Sequence, residues 1–268
     1  QAITTGDLTV RVPVESAIDA GVLNRPASRR RTARIREFDF DELKEEGLFL
    51  APVEKRCLQL PPPSIQDNLP DVSRLIGQLR IQHDEHRLEA DLSVIRKIPE
   101  VMREAGFKVT ATLVRPVREV GQTRIINVQA GDTSGRSCAI AMDIGTTTIY
   151  GQVIDLITGA VLAEHAEFNG QISYGEDVIT RIVYAEKPGG LDRIQEVVIA
   201  TINTILGKII HRAGVDPQDI STITLAGNTT MTQLLLKINP RHIRRAPYVP
   251  ASSLYPPLKA QDLGMHLD

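Results

Sequence analysis

The apolar positions between residues 138 and 169 fall into three runs separated by short polar turns. The first run, residues 139–142, ends at the acid Asp143, and runs over residues 149–157 and 160–168 follow it. Runs of this length, bounded by glycine and threonine, are typical of strands joined by tight turns. The pattern therefore predicts three consecutive strands, with one glycine and three threonines between the first two.

A long helix, a further strand and a second helix are predicted after this meander. Residues 191–213 carry apolar side chains at helical spacing, and Gly214 is expected to end that helix. Residues 220–225 form a β-branched run, which predicts a buried strand, and a helix through residue 236 follows. In this order of elements, the turns after the first and the fourth strand can open on the same edge of one sheet. The expected fold class is α/β.

The stretch before residue 136 predicts a small α+β unit. Asp71 is expected to cap a helix through residue 79, and a second helix over residues 93–105 should be interrupted near Pro99. Four strands are expected in the same unit, over residues 55–60, 88–92, 108–114 and 123–128.

Two further features precede this unit. Residues 8–12 alternate between apolar and polar positions and predict one short strand, closed by Pro13. Six arginines follow between residues 25 and 36, five of them close together within residues 29–36. A solvated linker is favoured over a surface for an anionic partner because acids follow at once. A flexible break at residues 131–135 marks a domain boundary. The predicted domains are an N-terminal segment with one strand and a linker (1–47), a middle α+β domain (48–136) and a third domain (137–268).

Composition and charge mainly exclude some classes of function. With a formal charge of −2 and 4% aromatic residues in 268, the chain has no global attraction for nucleic acid, and no apolar run reaches the roughly 18 residues of a membrane span. Cys57 and Cys138 are too few for a disulfide framework or a metal site, and His83 with His86 is interpreted as a solvated turn. Reduced cysteines and the lack of a signal-peptide pattern favour a cytoplasmic protein.

The turn after the first strand of the meander carries phosphate-binding chemistry. Gly145 lets the backbone approach an anion closely, and the hydroxyls of Thr146, Thr147 and Thr148 can donate hydrogen bonds to phosphate, as can the backbone N–H groups. Asp143, at the strand end, lies where a carboxylate can hold Mg²⁺ directly or through water. On these residues alone, an ordinary β-hairpin with a polar turn stays open as the alternative.

A second turn of similar chemistry follows the fourth strand. Gly227 permits a close approach of a ligand, and Asn228 or Thr229 can cap the next helix. Together with Thr230, these residues are candidates for contacts with a phosphate. An ordinary capped helix is the alternative.

Two acids lie between these turns. Glu176 or Asp177 can cap a helix that starts at Val178, and this is the favoured role. Either carboxylate could instead face the site and orient an attacking water, which would make it catalytic.

Taken together, these segments resemble the actin-like ATPase domain of the reductive activators of corrinoid enzymes. The wider superfamily includes acetate and sugar kinases, actin and heat-shock chaperones. The resemblance implies the first subdomain of an actin-like (ribonuclease H-like) fold, preceded by the family's middle domain and by the last strand of its plant-type ferredoxin module. The residues that carry it are 143–148, 175–182, 226–231 and 245–250, with 1–13 and 62–75 at the front.

The resemblance also implies a reaction. In this family, ATP-dependent activation returns the cobalt of a corrinoid protein, or of a corrinoid iron–sulfur protein, from Co(II) to Co(I). The electron comes from a low-potential donor through a 2Fe–2S cluster. ATP and Mg²⁺ are implied as cofactors, with Asp143 holding the metal ion.

The chain departs from this family pattern in two respects. The four cluster cysteines are absent, and so is the second half of the ATPase fold. The chain also starts at Gln1 rather than at a methionine. We therefore expect a fragment that binds ATP weakly or not at all and cannot transfer an electron by itself.

Two other functions fit the same residues. One is a small-molecule kinase of the same superfamily, which would lack iron–sulfur chemistry. The other is a non-enzymatic actin-like docking module that recruits a partner. A 2Fe–2S absorption spectrum of the full-length protein separates the activator from both, and the sequence leaves a homodimer open.

Overall fold

The structure is a computed structural model that describes residues 53–116 and 121–267. These residues form two four-stranded sheets, each with its own apolar core. The strand expected at residues 8–12 and the arginine-rich stretch lie outside the described residues. The strands are β1 (Val53–Gln59), β2 (Leu88–Ala90), β3 (Lys108–Val114), β4 (Thr123–Ala130), β5 (Cys138–Ile144), β6 (Thr148–Asp155), β7 (Val161–Phe168) and β8 (Ile220–Gly227). The α-helices are α1 (Asp71–His83), α2 (Leu92–Glu104), α3 (Val178–Ala185), α4 (Gly190–Ala213) and α5 (Thr229–Leu235).

The first sheet has the strand order β1-β3-β4-β2, in which only β2 and β4 run parallel. Helices α1 and α2 place their apolar faces in its core, where Leu75, Leu79, Ile98 and Met102 are almost completely buried. The α+β character predicted for this part of the chain is confirmed, with element ends shifted by a few residues. The proposed limits of the domains, 48–136 and 137–268, stay a prediction.

Helix α2 runs through Pro99 without interruption, so the predicted break is wrong. Proline removes one backbone hydrogen bond from a helix interior, which favours a kink or a break. Here Val94, Ile98 and Met102 lie on one face of α2 and are buried in the core. Tertiary packing on both sides of the proline therefore holds the helix together.

Asp71 does not cap α1, which is a second difference from the sequence-based expectation. The capping position is Pro70, and no side chain caps the helix there. The carboxylate of Asp71 instead accepts a hydrogen bond of 2.9 Å from Nη1 of Arg103 in α2. The acid therefore links the two helices of the unit.

The second sheet has the strand order β7-β6-β5-β8. Strands β5, β6 and β7 form an antiparallel meander, and β8 joins the free side of β5 in parallel orientation. The long helix α4 makes the crossover from β7 to β8 that a parallel strand requires. This is the α/β order expected for the first subdomain of an actin-like, ribonuclease H-like fold, and the predicted fold class is confirmed.

Helix α4 is long and apolar enough to cross a bilayer when only its length and composition are considered. Its apolar residues nevertheless have a clear role in the core of the second sheet. Ile194, Ile202, Ile205, Leu206 and Ile209 are all fully buried there. The packing of this sheet thus accounts for the apolar character of the helix.

Candidate functional site

The two polar turns predicted from the sequence meet at one edge of the second sheet. In the parallel pair β5–β8, Asp143 lies opposite Ala226 and Ile144 lies opposite Gly227, so both strands end at the same level. The side-chain Nδ2 of Asn228 is 3.4 Å from Oγ1 of Thr146, which joins one turn to the other. The expectation that both turns share one sheet edge is confirmed.

The first turn leaves no room for a side chain at Gly145. A Cβ atom there would collide with the backbone carbonyl oxygen of Thr148, and backbone atoms in a tight turn cannot move aside cheaply. Glycine at this position is therefore required by the turn itself. The side chains of Asp143 and Thr147 are exposed, while Thr146 and Thr148 are half-buried.

Asn169 fixes the shape of this turn from the interior. It is completely buried at the end of β7, and its Nδ2 donates a hydrogen bond of 2.9 Å to the carbonyl oxygen of Gly145. Its backbone N–H donates to the carbonyl oxygen of Thr147 at 2.8 Å, and its Oδ1 accepts from the N–H of Gln171 at 3.0 Å. Sequence reasoning missed this residue, although an asparagine directly after a strand is a typical start of a capped turn.

Asn228, in the second turn, is the N-cap residue of α5. Its Oδ1 accepts a hydrogen bond of 2.9 Å from the backbone N–H of Met231. Gly227, Asn228 and Thr229 are exposed at the sheet edge, whereas Thr230 is buried. The first three residues are thus open to a ligand, and a ligand contact by Thr230 stays a prediction.

Asp177 caps α3, as the sequence favoured. Its Oδ1 accepts a hydrogen bond of 2.8 Å from the backbone N–H of Thr180, and the Thr180 hydroxyl completes a capping box. The hydrogen bond from this N–H lowers the pKa of the Asp177 carboxyl, which is therefore charged at neutral pH. Glu176 is exposed beside it. A water-orienting role for either acid stays a prediction.

A buried arginine lies behind the site. Arg181 in α3 is completely buried, and its Nε donates a hydrogen bond of 2.7 Å to the carbonyl oxygen of Gly175. Its Nη1 lies 3.3 Å from Oε1 of Gln171 and 3.5 Å from the sulfur of Met231, while Nη2 has no partner among the described residues. Burial lowers the pKa of this guanidinium, which an arginine tolerates because it stays charged. The arginine connects the loop before α3 to the first turn of α5.

Asp143 is the candidate metal ligand of this site. Within residues 53–116 and 121–267, there is no group of three or more histidines, cysteines or acids that could hold a metal ion. Mg²⁺ commonly binds to one or two carboxylates, substrate phosphates and water. The sheet edge therefore fits a Mg²⁺ ion that would be bound jointly by Asp143 and by the phosphate groups of a ligand.

Two regions of one protein family match this chain. The family model described as the RACo linker region matches residues 42–135, and the RACo middle region matches residues 138–268. The corrinoid activation enzyme RamQ of Eubacterium limosum is 34% identical over 161 residues, which are 59% of this chain and 26% of the relative. A solved structure titled reductive activator for corrinoid, iron-sulfur protein is 33% identical, with a TM-score of 0.69 over 84% of this chain and 37% of that chain.

The chain thus spans well under half the length of both relatives. Within that span, the linker region and the middle region of one family follow each other in order. Together they account for all of the described residues except Arg136 and Ser137. The chain belongs to the RACo family.

Proposed function

We propose that the protein to which these regions belong carries out ATP-dependent reductive activation of a corrinoid protein, taking cobalt from Co(II) to Co(I). The observation that carries the proposal is the pair of turns at one sheet edge, joined by Asn228 and Thr146, in a chain of the RACo family. One relative is named a corrinoid activation enzyme, and the other a reductive activator for corrinoid, iron-sulfur protein. The partner would be such a protein, including a corrinoid iron–sulfur protein.

The residues at the sheet edge fit the phosphates of a nucleotide. Gly145 keeps the first turn free of a side chain, so a ligand can approach its backbone. The hydroxyl groups of Thr146 and Thr147 can donate hydrogen bonds to phosphate oxygens. The side-chain amide of Asn228, in the second turn, can orient the hydroxyl of Thr146. Asp143 would hold Mg²⁺, through water or directly, and the ion would neutralise phosphate charge.

Asn169 and Glu176 also have defined roles in this proposal. Asn169 holds the first turn in shape, so the donors of Thr146 to Thr148 are in place before a nucleotide arrives. Glu176 would orient the attacking water, since Asp177 already caps α3. Hydrolysis would then bias the docked partner toward the state in which the electron passes, provided that the two states differ in affinity.

A 2Fe–2S cluster does not fit the cysteines of this chain. A plant-type cluster of this kind needs four cysteine ligands, and the chain has two. Cys57 lies in β1 of the first sheet and Cys138 is buried in β5 of the second, and burial raises the pKa of both thiols. The electron would therefore reach the cobalt from a low-potential donor by way of a centre outside this chain, in a cytoplasmic reaction.

The test uses the full-length protein, prepared anaerobically, with a corrinoid protein in the Co(II) state. We expect Co(I) absorption to appear only with ATP and a reductant. Asp143→Asn should abolish ATP hydrolysis and Co(I) formation while the circular dichroism spectrum stays unchanged. Asp84→Asn is the matched control, because Asp84 is highly exposed on the first unit, after α1.

Two results would count against the proposal. Co(I) formation at the same rate without ATP would remove the nucleotide from the mechanism. Unchanged ATP hydrolysis by Asp143→Asn would refute the role of the carboxylate at the sheet edge.

A further inference from the structure

A second site lies at the other end of α5 from the two turns. A cavity of about 300 Å³ opens between Gln233, in the last turns of α5, and the segment 239–251 that follows. This volume is at the lower end of the range for small-molecule sites. None of the residues predicted to bind nucleotide lines it.

The cavity contains a buried polar group that lacks a partner. Gln233 is 1% exposed, and its Nε2 has no hydrogen-bond partner within the described part of the chain. An unsatisfied buried donor costs about 1–3 kcal/mol, so proteins rarely keep one without a reason. A bound ligand with an acceptor oxygen would satisfy it.

The same cavity carries an excess of positive charge. Arg245 lines it, and its Nη2 lies 3.1 Å from Oε2 of Glu186. Glu186 is already engaged by Arg244, whose Nε and Nη2 make hydrogen bonds of 2.9 and 2.8 Å with its two oxygens. One carboxylate shared by two guanidinium groups leaves one positive charge unbalanced. An anionic ligand would complete this cluster.

The remaining wall is apolar. Ala246, Pro247, Val249, Pro250 and Ala251 contribute it, and the two prolines restrict the backbone of this segment. A fully hydrated ion such as inorganic phosphate gains nothing from such a wall, whereas a short hydrocarbon chain does. The site therefore selects for a ligand with a charged head and a small apolar body.

We propose that this cavity binds a small carboxylate. The carboxylate would accept hydrogen bonds from the Arg245 guanidinium and the Gln233 amide, and its short apolar body would lie against the proline-containing wall. Charge-assisted hydrogen bonds to a guanidinium supply both affinity and orientation. The site is separate from the nucleotide site and does not depend on the proposed activity.

Butyrate is the probe, titrated into the full chain by calorimetry, with the uncharged butyramide and inorganic phosphate as comparison ligands. We expect saturable one-to-one binding of butyrate and weaker or no binding of the other two. Arg245→Gln and Gln233→Leu should each weaken butyrate binding about tenfold or more. Gln233→Leu should unfold at an equal or higher temperature without ligand, because it removes an unsatisfied donor.

Arg241→Gln is the control, since Arg241 is exposed, carries the same charge and does not line the cavity. It should bind butyrate as the unmodified chain does. The proposal is overturned if butyrate does not saturate, or if it binds both cavity variants undiminished. Preferential binding of phosphate or butyramide over butyrate would overturn it as well.

Discussion

The side-chain ammonium of Lys55 lies 2.7 Å from Oδ1 of Asp219, and both side chains are buried. Lys55 belongs to β1 of the first sheet, and Asp219 immediately precedes β8 of the second. Gln129 donates to the same oxygen at 2.9 Å, and Nε of Arg136 lies 3.1 Å from Oδ2. A single carboxylate next to the second sheet is thus held by Lys55 and Gln129 of the first sheet and by Arg136 of the segment that joins the two sheets.

The ion pair between Lys55 and Asp219 leads to a prediction about stability. Asp219→Ala would leave the buried Lys55 ammonium without its partner, and breaking a buried pair in this way costs about 3–5 kcal/mol. We expect a loss of that size in the free energy of unfolding, measured by urea denaturation. The double variant Lys55→Met with Asp219→Leu should recover much of it, because the only charge then left without its partner is the largely exposed Arg136. A double variant as unstable as Asp219→Ala would contradict the role assigned to the ion pair.

The same carboxylate predicts a dependence on pH. Burial alone would raise the pKa of Asp219, but hydrogen bonds from Lys55 and Gln129 outweigh burial and hold the pKa below its ordinary value. The contribution of the Asp219 carboxylate to the free energy of unfolding is therefore fully present above about pH 3.9, the pKa of an aspartate in the unfolded chain. This contribution is lost as the pH falls through the lower pKa of the folded state. The stability difference between the unmodified chain and Asp219→Asn should be constant above about pH 5 and shrink below about pH 4. A difference that persists unchanged in acid would refute this linkage.

Asn169 offers a test of the first turn. Asn169→Ala removes a side chain with hydrogen bonds to the carbonyl of Gly145 and the N–H of Gln171, which should cost about 1–3 kcal/mol and weaken ATP binding. Asn203 is the matched control, because it also bonds to two backbone groups, the carbonyl of Gly264 and the N–H of His266. Asn203→Ala should destabilise the full-length protein to a similar degree and leave its ATP affinity unchanged. Equal effects of both variants on ATP affinity would mean that Asn169 acts only on stability.

Replacing glycine with alanine should have opposite effects on stability at Gly145 and at Gly207. Gly145→Ala places a Cβ against the carbonyl oxygen of Thr148, so we expect lower stability and loss of nucleotide binding. Gly207 lies inside α4 with open space around its Cβ position, and alanine is favoured over glycine in a helix by about 0.5–1 kcal/mol. Gly207→Ala should therefore raise the unfolding temperature without changing nucleotide binding. The prediction fails if the two variants change stability in the same direction.

Most of the fold could be read from local patterns. The apolar runs predicted all eight strands found in residues 53–116 and 121–267, and the glycines and threonines between them marked the turns, because periodicity and turn residues are local signals. The helix through Pro99 and the missing cap at Asp71 are the exceptions. In both places a contact from another element outweighed the local preference.

The sequence by itself determined the class of fold, the two turns and the acid at the end of β5. Only the tertiary structure revealed Asn169 behind the first turn, the buried Arg181 of α3 behind the site and the cavity at Gln233. It alone paired Lys55 with Asp219, which are 164 positions apart in the chain. Periodicity reports which face of an element is buried, but it carries no information about which distant residue meets that face. Those pairings arise only when both sheets are packed and each buried polar group must find a partner.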